Sequence, residues 1–177
     1  MIYSAMKLLI HACCADCLLK MVESIKTENK FREIEVYYYN PNIHPRSEYQ
    51  SRLKAMQLMI GKLKLIVPDW KPSDYFGVIK NEEKRKRCID CWNLRLEETA
   101  KFAKKNGFTA FSSTLITSEY QNSKMIEKIG KEIGKKYKIE FLVPKNICKK
   151  LETKGFYKQV FCGCCYSLVE RFKEKFC

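Results

Sequence analysis

Apolar residues fall along this chain in short bursts separated by polar stretches. KLLIHA (7–12), IEVYYYN (34–40), KLKLIV (62–67), FTAFSST (108–114) and IEFLV (139–143) have strand length, and Asn40-Pro41, Pro68-Asp69 and Pro144 close three of them. Between these runs the apolar positions recur at helical spacing. Leu18, Leu19, Val22 and Ile25 share a side of 18–25, and Tyr49, Leu53, Met56 and Ile60 do so in 46–60. Trp92, Leu96, Thr99, Ala100 and Ala103 mark a helix over 91–105 that Asn106-Gly107 ends. Ile126, Ile129 and Ile133 mark another over 122–137, and a last helix carries Leu168, Val169, Phe172 and Phe176.

Strands alternating with helices predict an α/β fold: one domain over 1–177, a parallel sheet covered on both faces in three layers, and a helical, cysteine-rich C-terminal segment. In such sheets ligands sit beyond the carboxyl ends of strands, where strand order reverses. With the common order 3-2-1-4-5, HACCADC (11–17) and SSTLITSEYQN (112–122) flank that point.

Composition adds constraints. A chain of 177 residues with 46% hydrophobic content can bury a sizeable core. No apolar run approaches the roughly 18 residues of a membrane helix, and MIYSAMKLLIHACC does not read as a signal peptide. A cytoplasmic protein without membrane attachment is expected. The 34 basic residues against 20 acidic leave a net charge of +14, which points to a polyanionic partner, nucleic acid or another phosphate-rich ligand.

The ten cysteines change the picture most. Cys13, Cys14 and Cys17 form one group, Cys88 and Cys91 a second, Cys162, Cys164 and Cys165 a third; Cys148 and Cys177 stand alone. Clustering of this kind marks metal or redox chemistry. HACCADC holds no glycine for a phosphate loop, so ATP is not expected; its thiols and Asp16 are instead metal ligands, with a following helix N-terminus favouring the thiolate form. Cys88 and Cys91, three apart on a helix's first turn, project to one side. Gly163 permits a tight turn among the C-terminal thiols. Spacing alone leaves an iron–sulfur cluster, zinc and a redox dithiol open, though sulfurs from three distant segments are too many for one zinc.

Two polar segments complete the candidates. In 37–52, Tyr39, Asn40, Asn42, His44, Glu48, Tyr49 and Arg52 make a pocket wall whose tyrosines could stack on RNA bases. EEKRKR (82–87), with Arg85 and Arg87, is a candidate phosphate clamp beside the cysteine pair.

Taken together these residues resemble the QueH family of epoxyqueuosine reductases. The resemblance rests on HACC with a cysteine three residues on, YYNPNIHPRSEYQSR, CIDCWNLRLEETA, SSTLITSEYQN and GFYKQVFCGCCYS, in order across nearly the whole chain. It implies an adenine-nucleotide-alpha-hydrolase-like (HUP or Rossmann-like) fold without the ATP loop, and a four-iron four-sulfur (4Fe-4S) cluster beside an additional iron (or zinc) ion. It also implies cobalamin-independent reduction of epoxyqueuosine to queuosine in the tRNA anticodon loop, the last step of queuosine biosynthesis, fed by an external electron donor. Asp16 stands where the family mostly has proline, and Phe161 where tyrosine is expected.

On this resemblance the cluster ligands come from Cys14, Cys17, Cys88, Cys91 and Cys164, and the second metal takes Cys13, Asp16 and Cys162. Proton donors are His11, Asp16 or Tyr39. Arg46, Arg52 and Lys84 to Arg87 supply phosphate contacts, and the motifs offer Arg95, Thr114, Ser118, Tyr157 and Gln159 as further substrate contacts. The alternative is a zinc-stabilised RNA-binding module without catalysis; a dithiol reductase acting on proteins is a third.

Overall fold

The computed structural model describes residues 6–26, 30–148 and 151–176. Five parallel strands, β1 (Lys7–His11), β2 (Glu33–Tyr37), β3 (Lys64–Ile66), β4 (Ala110–Ser113) and β5 (Glu140–Phe141), lie in the order β3-β2-β1-β4-β5. This is the expected α/β topology. Consecutive strand side chains point to opposite faces, yet Leu8, Leu9 and Ile10 are all fully buried, so β1 is covered on both sides. That is why its sequence is an unbroken apolar run; each such side chain contributes about 1.5–3 kcal/mol.

The described residues form the α-helices α1 (Ala15–Lys26), α2 (Arg46–Met59), α3 (Pro72–Val78), α4 (Lys84–Lys105), α5 (Ser123–Tyr137) and α6 (Cys165–Phe176). On α4 the buried set includes Trp92, Leu96, Thr99, Ala100 and Ala103, the face predicted from spacing. Asn122 caps α5 by accepting from the Met125 N–H at 3.1 Å. Gly130 of α5 lies where a Cβ would collide with the Phe141 ring, which lets this helix close on β5.

One expected boundary is corrected. α4 starts at Lys84 rather than 91: its first turn is exposed and polar apart from Arg87, so no apolar period announces it. α3 lies between β3 and α4, where the spacing predicts no element; Pro72 opens it and Tyr75 is its buried anchor. Val169 and Phe172 of α6 are more than half exposed. Cys177 lies outside the described residues.

The strand ends set the site. His11 is in register with Tyr37 on one side and Ser113 on the other. Pairing runs a step beyond the assigned ends, with the Ala12 N–H on the Tyr37 carbonyl (3.0 Å) and the Tyr38 N–H on that of Ile66 (2.9 Å). The loops after β1, β2 and β4 therefore leave the same edge together.

Candidate metal centre

The first thiol group closes the N-terminus of α1. The sulfurs of Cys13, Cys14 and Cys17 all lie within 4.8 Å of one another and are buried. Cys14 acts as the N-cap: its Sγ accepts from the Cys17 N–H at 3.4 Å, and its carbonyl from the Leu18 N–H at 3.1 Å. The Cys13 N–H reaches Thr114 Oγ1 at 3.3 Å, so the turn after β4 steadies the group. Shared hydrogen bonds from the Cys14 and Cys17 thiols hold Cys13 well below the ordinary thiol range, against burial; Cys14 and Cys17 are pushed up.

The second group repeats this construction at α6. Ser167 N–H donates to Cys164 Sγ at 3.3 Å and the Leu168 N–H to the Cys164 carbonyl at 3.1 Å, so Cys164 too caps a helix with sulfur. Cys162 and Cys164 place their sulfurs 3.8 Å apart, about the edge of a tetrahedron of metal–sulfur bonds near 2.3 Å. The Cys162 thiol lowers Cys164 to about 5, against burial and with help from Ser167. Cys88 and Cys91, in the second turn of α4, line one small cavity with these two. Burial pushes Cys91 up to about 12, with Arg95 partly offsetting it.

A buried guanidinium stands between the groups. Arg95 is 2% exposed. Burial works against its charge, but Cys91 and Cys13, one from each group, outweigh it and keep the side chain cationic. Its Nη2 donates to Asn40 Oδ1 at 2.8 Å, and Asn40 Nδ2 donates to the Ala12 carbonyl at 2.8 Å.

The donor set fits a metal centre. Asn42 Oδ1, Arg87 Nε and Arg95 Nε are buried without a hydrogen-bond partner among the described residues, and all three residues line the cavity of Cys88, Cys91, Cys162 and Cys164. A buried unpaired polar atom costs about 1–3 kcal/mol. Thiols facing two underused guanidinium groups suit an anionic, thiolate-held group.

The C-terminal loop is pinned from beneath by Arg52. Its Nη2 donates to the Phe161 carbonyl at 3.0 Å, Nη1 to that of Cys162 at 3.2 Å and Nε to Glu48 at 2.6 Å. Gly163 (φ +120°) passes so close that a Cβ would lie 3.1 Å from Ile43 Cγ1. Its carbonyl accepts from the His44 N–H at 2.8 Å, and Gln159 Nε2 reaches Cys14 Sγ at 2.9 Å. One loop thus serves both thiol groups.

With this geometry in hand, the comparisons with known proteins fall in one place. The family model described as epoxyqueuosine reductase QueH matches residues 8–170. The chain belongs to the QueH family. It is 37% identical to the epoxyqueuosine reductase QueH of Thermotoga maritima, across 94% of this chain and 92% of that one. The Dehalococcoides mccartyi enzyme of the same name is 36% identical over 95% and 96%, and that of Haemophilus influenzae 33% over 92% and 71%.

Several expected site residues take other parts. The sulfurs gather by segment: Cys13 sits with Cys14 and Cys17, and Cys162 with Cys164, because each helix cap draws its own segment's thiols together. Asp16 Oδ2 pairs with Lys20 at 2.9 Å and its Oδ1 accepts from Thr153 at 2.7 Å; these outweigh burial and lower its pKa. His11 has Nε2 on the Tyr39 carbonyl (3.1 Å), so Nε2 carries the proton, and Nδ1 accepts from Ser113 Oγ (2.9 Å). Burial first, then Arg95, pushes it down to about 3, leaving it neutral. Tyr39 donates its hydroxyl to Asp74 at 3.1 Å, and burial first, then this bond, pushes its pKa up.

In the segment 37–52, Tyr37 to His44, Tyr49 and Arg52 are buried, while Pro45, Arg46, Ser47 and Gln50 are exposed. Tyr39 and Tyr49 are less than a tenth exposed and cannot stack on RNA bases in this conformation; Tyr49 packs on Trp70 with centroids 5.4 Å apart. The His44 ring stacks on Phe76 at 5.0 Å. Of this segment Asn42 alone lines a described cavity. Arg52, Arg87 and Arg95 are buried and unavailable to phosphates: Arg87 is tied to Glu170 and the Glu82 carbonyl. Arg85 and Arg46 are exposed. Tyr157 donates to Glu48, and Phe161 packs its ring 5.4 Å from the Arg52 guanidinium. Thr114 is buried against Cys13, while Ser118 and Gln159 line a cleft of about 490 Å³ beside Cys17.

Sequence reasoning missed Tyr75, which is 1% exposed against Cys91 and Cys164, and Lys20 in the cleft. A buried aromatic in a polar stretch, and a lysine four residues after an acidic metal-ligand candidate, were the available signals.

Proposed function

We propose that this chain reduces epoxyqueuosine to queuosine in the anticodon loop of tRNA, as the final step of queuosine formation. The observation that carries the reading is the convergence of seven cysteines in two groups on either side of Arg95 at one sheet edge. Family membership supports the substrate. Reduction breaks both carbon–oxygen bonds of the epoxide and forms a carbon–carbon double bond; two electrons and two protons leave with the oxygen as water.

Cys13, Cys14 and Cys17 together with Cys88, Cys91, Cys162 and Cys164 would hold a four-iron four-sulfur cluster and an additional iron, and Asp16 at the rim could add an oxygen ligand. Bound there, these groups would supply electrons singly and a Lewis acid for the epoxide oxygen. The protein's own side chains do the rest. Arg95, kept cationic, balances thiolate charge in a buried site where an unpaired anion would be costly. Gln159 orients Cys14 through its amide N–H. Neutral His11 fixes the strand ends rather than moving protons. Lys20, whose pKa is raised by Asp16 against the cost of burial, holds a proton on Nζ in the cleft next to Cys17.

The remaining basic surface serves the polyanion. Arg46, Lys84, Arg85 and Lys86 are exposed and would meet tRNA phosphates, Lys84 and Lys86 by exchanging surface ion pairs with Glu170 and Glu83, so binding should weaken steeply with salt. The external electron donor stays a requirement of the two-electron balance. The test is anaerobic incubation with epoxyqueuosine-bearing tRNA and a chemical reductant, with the nucleoside read by mass spectrometry. Queuosine appearing in proportion to enzyme supports the reading; unchanged epoxyqueuosine with metal-replete protein overturns it.

A further inference from the structure

Three clefts open on the face that carries the thiol groups, of about 490, 200 and 310 Å³. The first is lined by Cys17, the second by Cys88 and Cys162, the third by Cys88. A single residue, Tyr120, lines all three. It is 51% exposed, in the turn that follows β4. That turn is held: the Tyr120 N–H donates to Ser118 Oγ at 3.3 Å, and the next side chain, Gln121, accepts from Trp92 Nε1 at 2.7 Å. The ring is therefore presented on a fixed mount, between the approach to one thiol group and the approaches to the other.

Two other exposed aromatics are already engaged. Phe76 stacks on His44, and Tyr157 gives its hydroxyl to Glu48. Basic side chains line the same clefts, Lys158 in the first, Arg171 in the second, Arg85 in the third and Lys84 in the latter two; Asp16, Glu119 and Glu152 share the first and Glu170 and Glu174 the second, while the third holds no carboxylate. An exposed aromatic ring interleaved with lysines and arginines is the arrangement that holds unpaired bases by stacking while the cations follow the backbone.

Resting on the function proposed above, we infer that Tyr120 is the stacking platform for a nucleobase adjacent to the modified one, so that the modified nucleoside is directed into the Asp16–Cys17 cleft. Tyr120 is a positioning residue; its hydroxyl is not needed. This explains how a site whose loop tyrosines, Tyr39 and Tyr49, face inward still grips a splayed anticodon loop.

The experiment measures binding and turnover of an anticodon stem-loop carrying epoxyqueuosine by the iron-loaded protein and its Tyr120→Ala, Tyr120→Phe and Tyr120→Trp variants. A second set of stem-loops has each neighbour of the modified nucleotide replaced in turn by an abasic residue. Tyr120→Ala should weaken binding on the order of tenfold, chiefly in KM, with Phe and Trp within about twofold of wild type and iron content unchanged. Wild type should lose a similar factor with one of the abasic stem-loops, and Tyr120→Ala should lose nothing more. The inference is overturned by equal losses in Ala, Phe and Trp variants, by unaltered binding in the Ala variant, or by additive losses with the abasic loops. Wild-type protein that leaves the epoxide intact would instead remove the proposed reaction, which the Tyr120 comparison does not touch.

Discussion

Arg95 and Asn40 are joined by one 2.8 Å hydrogen bond that ties α4, bearing Cys88 and Cys91, to the loop after β2. Asn40 passes the link on to the Ala12 carbonyl beside Cys13. A bidentate amide therefore spans the two thiol groups. Asn40→Ala should leave one buried donor of Arg95 unpaired, at about 1–3 kcal/mol of stability. Urea denaturation of the variant checks the stability, and its bound iron should fall because both groups shift.

Arg52 anchors the C-terminal loop through two carbonyls and Glu48. Lysine keeps the charge but not the planar fork. Arg52→Lys should lower iron content and loosen the loop, read as faster amide exchange around residues 159–163. Gly163→Ala should cost about 1–3 kcal/mol, because φ +120° is strained for any side chain. Equal stability of the alanine variant would show that the loop adopts another backbone.

Arg85 and Arg87 are two residues apart and should behave oppositely. Arg85→Glu, on the exposed face, should weaken tRNA binding, reduce its salt dependence by about one counterion and leave metal content unchanged. Arg87→Glu would face Glu170 in a buried site and should destabilise the fold itself, seen as a lower thermal midpoint without tRNA.

Serine at Cys88, Cys91, Cys162 or Cys164 should each reduce bound iron, since all four line one cavity. Cys148→Ser should leave iron unchanged: Cys148 lines none of the thiol cavities and its backbone N–H is held by Ser24 Oγ at 2.8 Å. Elemental analysis of the purified variants decides this.

Much of the architecture is legible in the sequence for a plain reason. Strands buried on both faces, such as Leu8–Ile10, must be continuously apolar, and the loops after them then fall at the switch point whatever their sequence. The opening turn of α4 and all of α3 carry no apolar period, so spacing cannot announce them. Arginines are the hardest to place: Arg52, Arg87 and Arg95 look like phosphate contacts in a basic chain, yet each is buried against carbonyls, carboxylates or thiols. Only tertiary partners separate them from exposed Arg85. Likewise the cysteine groups are visible in one dimension, but which thiols gather depends on helix caps at Cys14 and Cys164.

The measurement closest to the centre of this account is iron, acid-labile sulfide and zinc per chain in protein purified without oxygen. More than one iron with sulfide, both lost when Cys14 and Cys164 are replaced by serine, is the predicted result. A colourless protein holding stoichiometric zinc and no sulfide would contradict it.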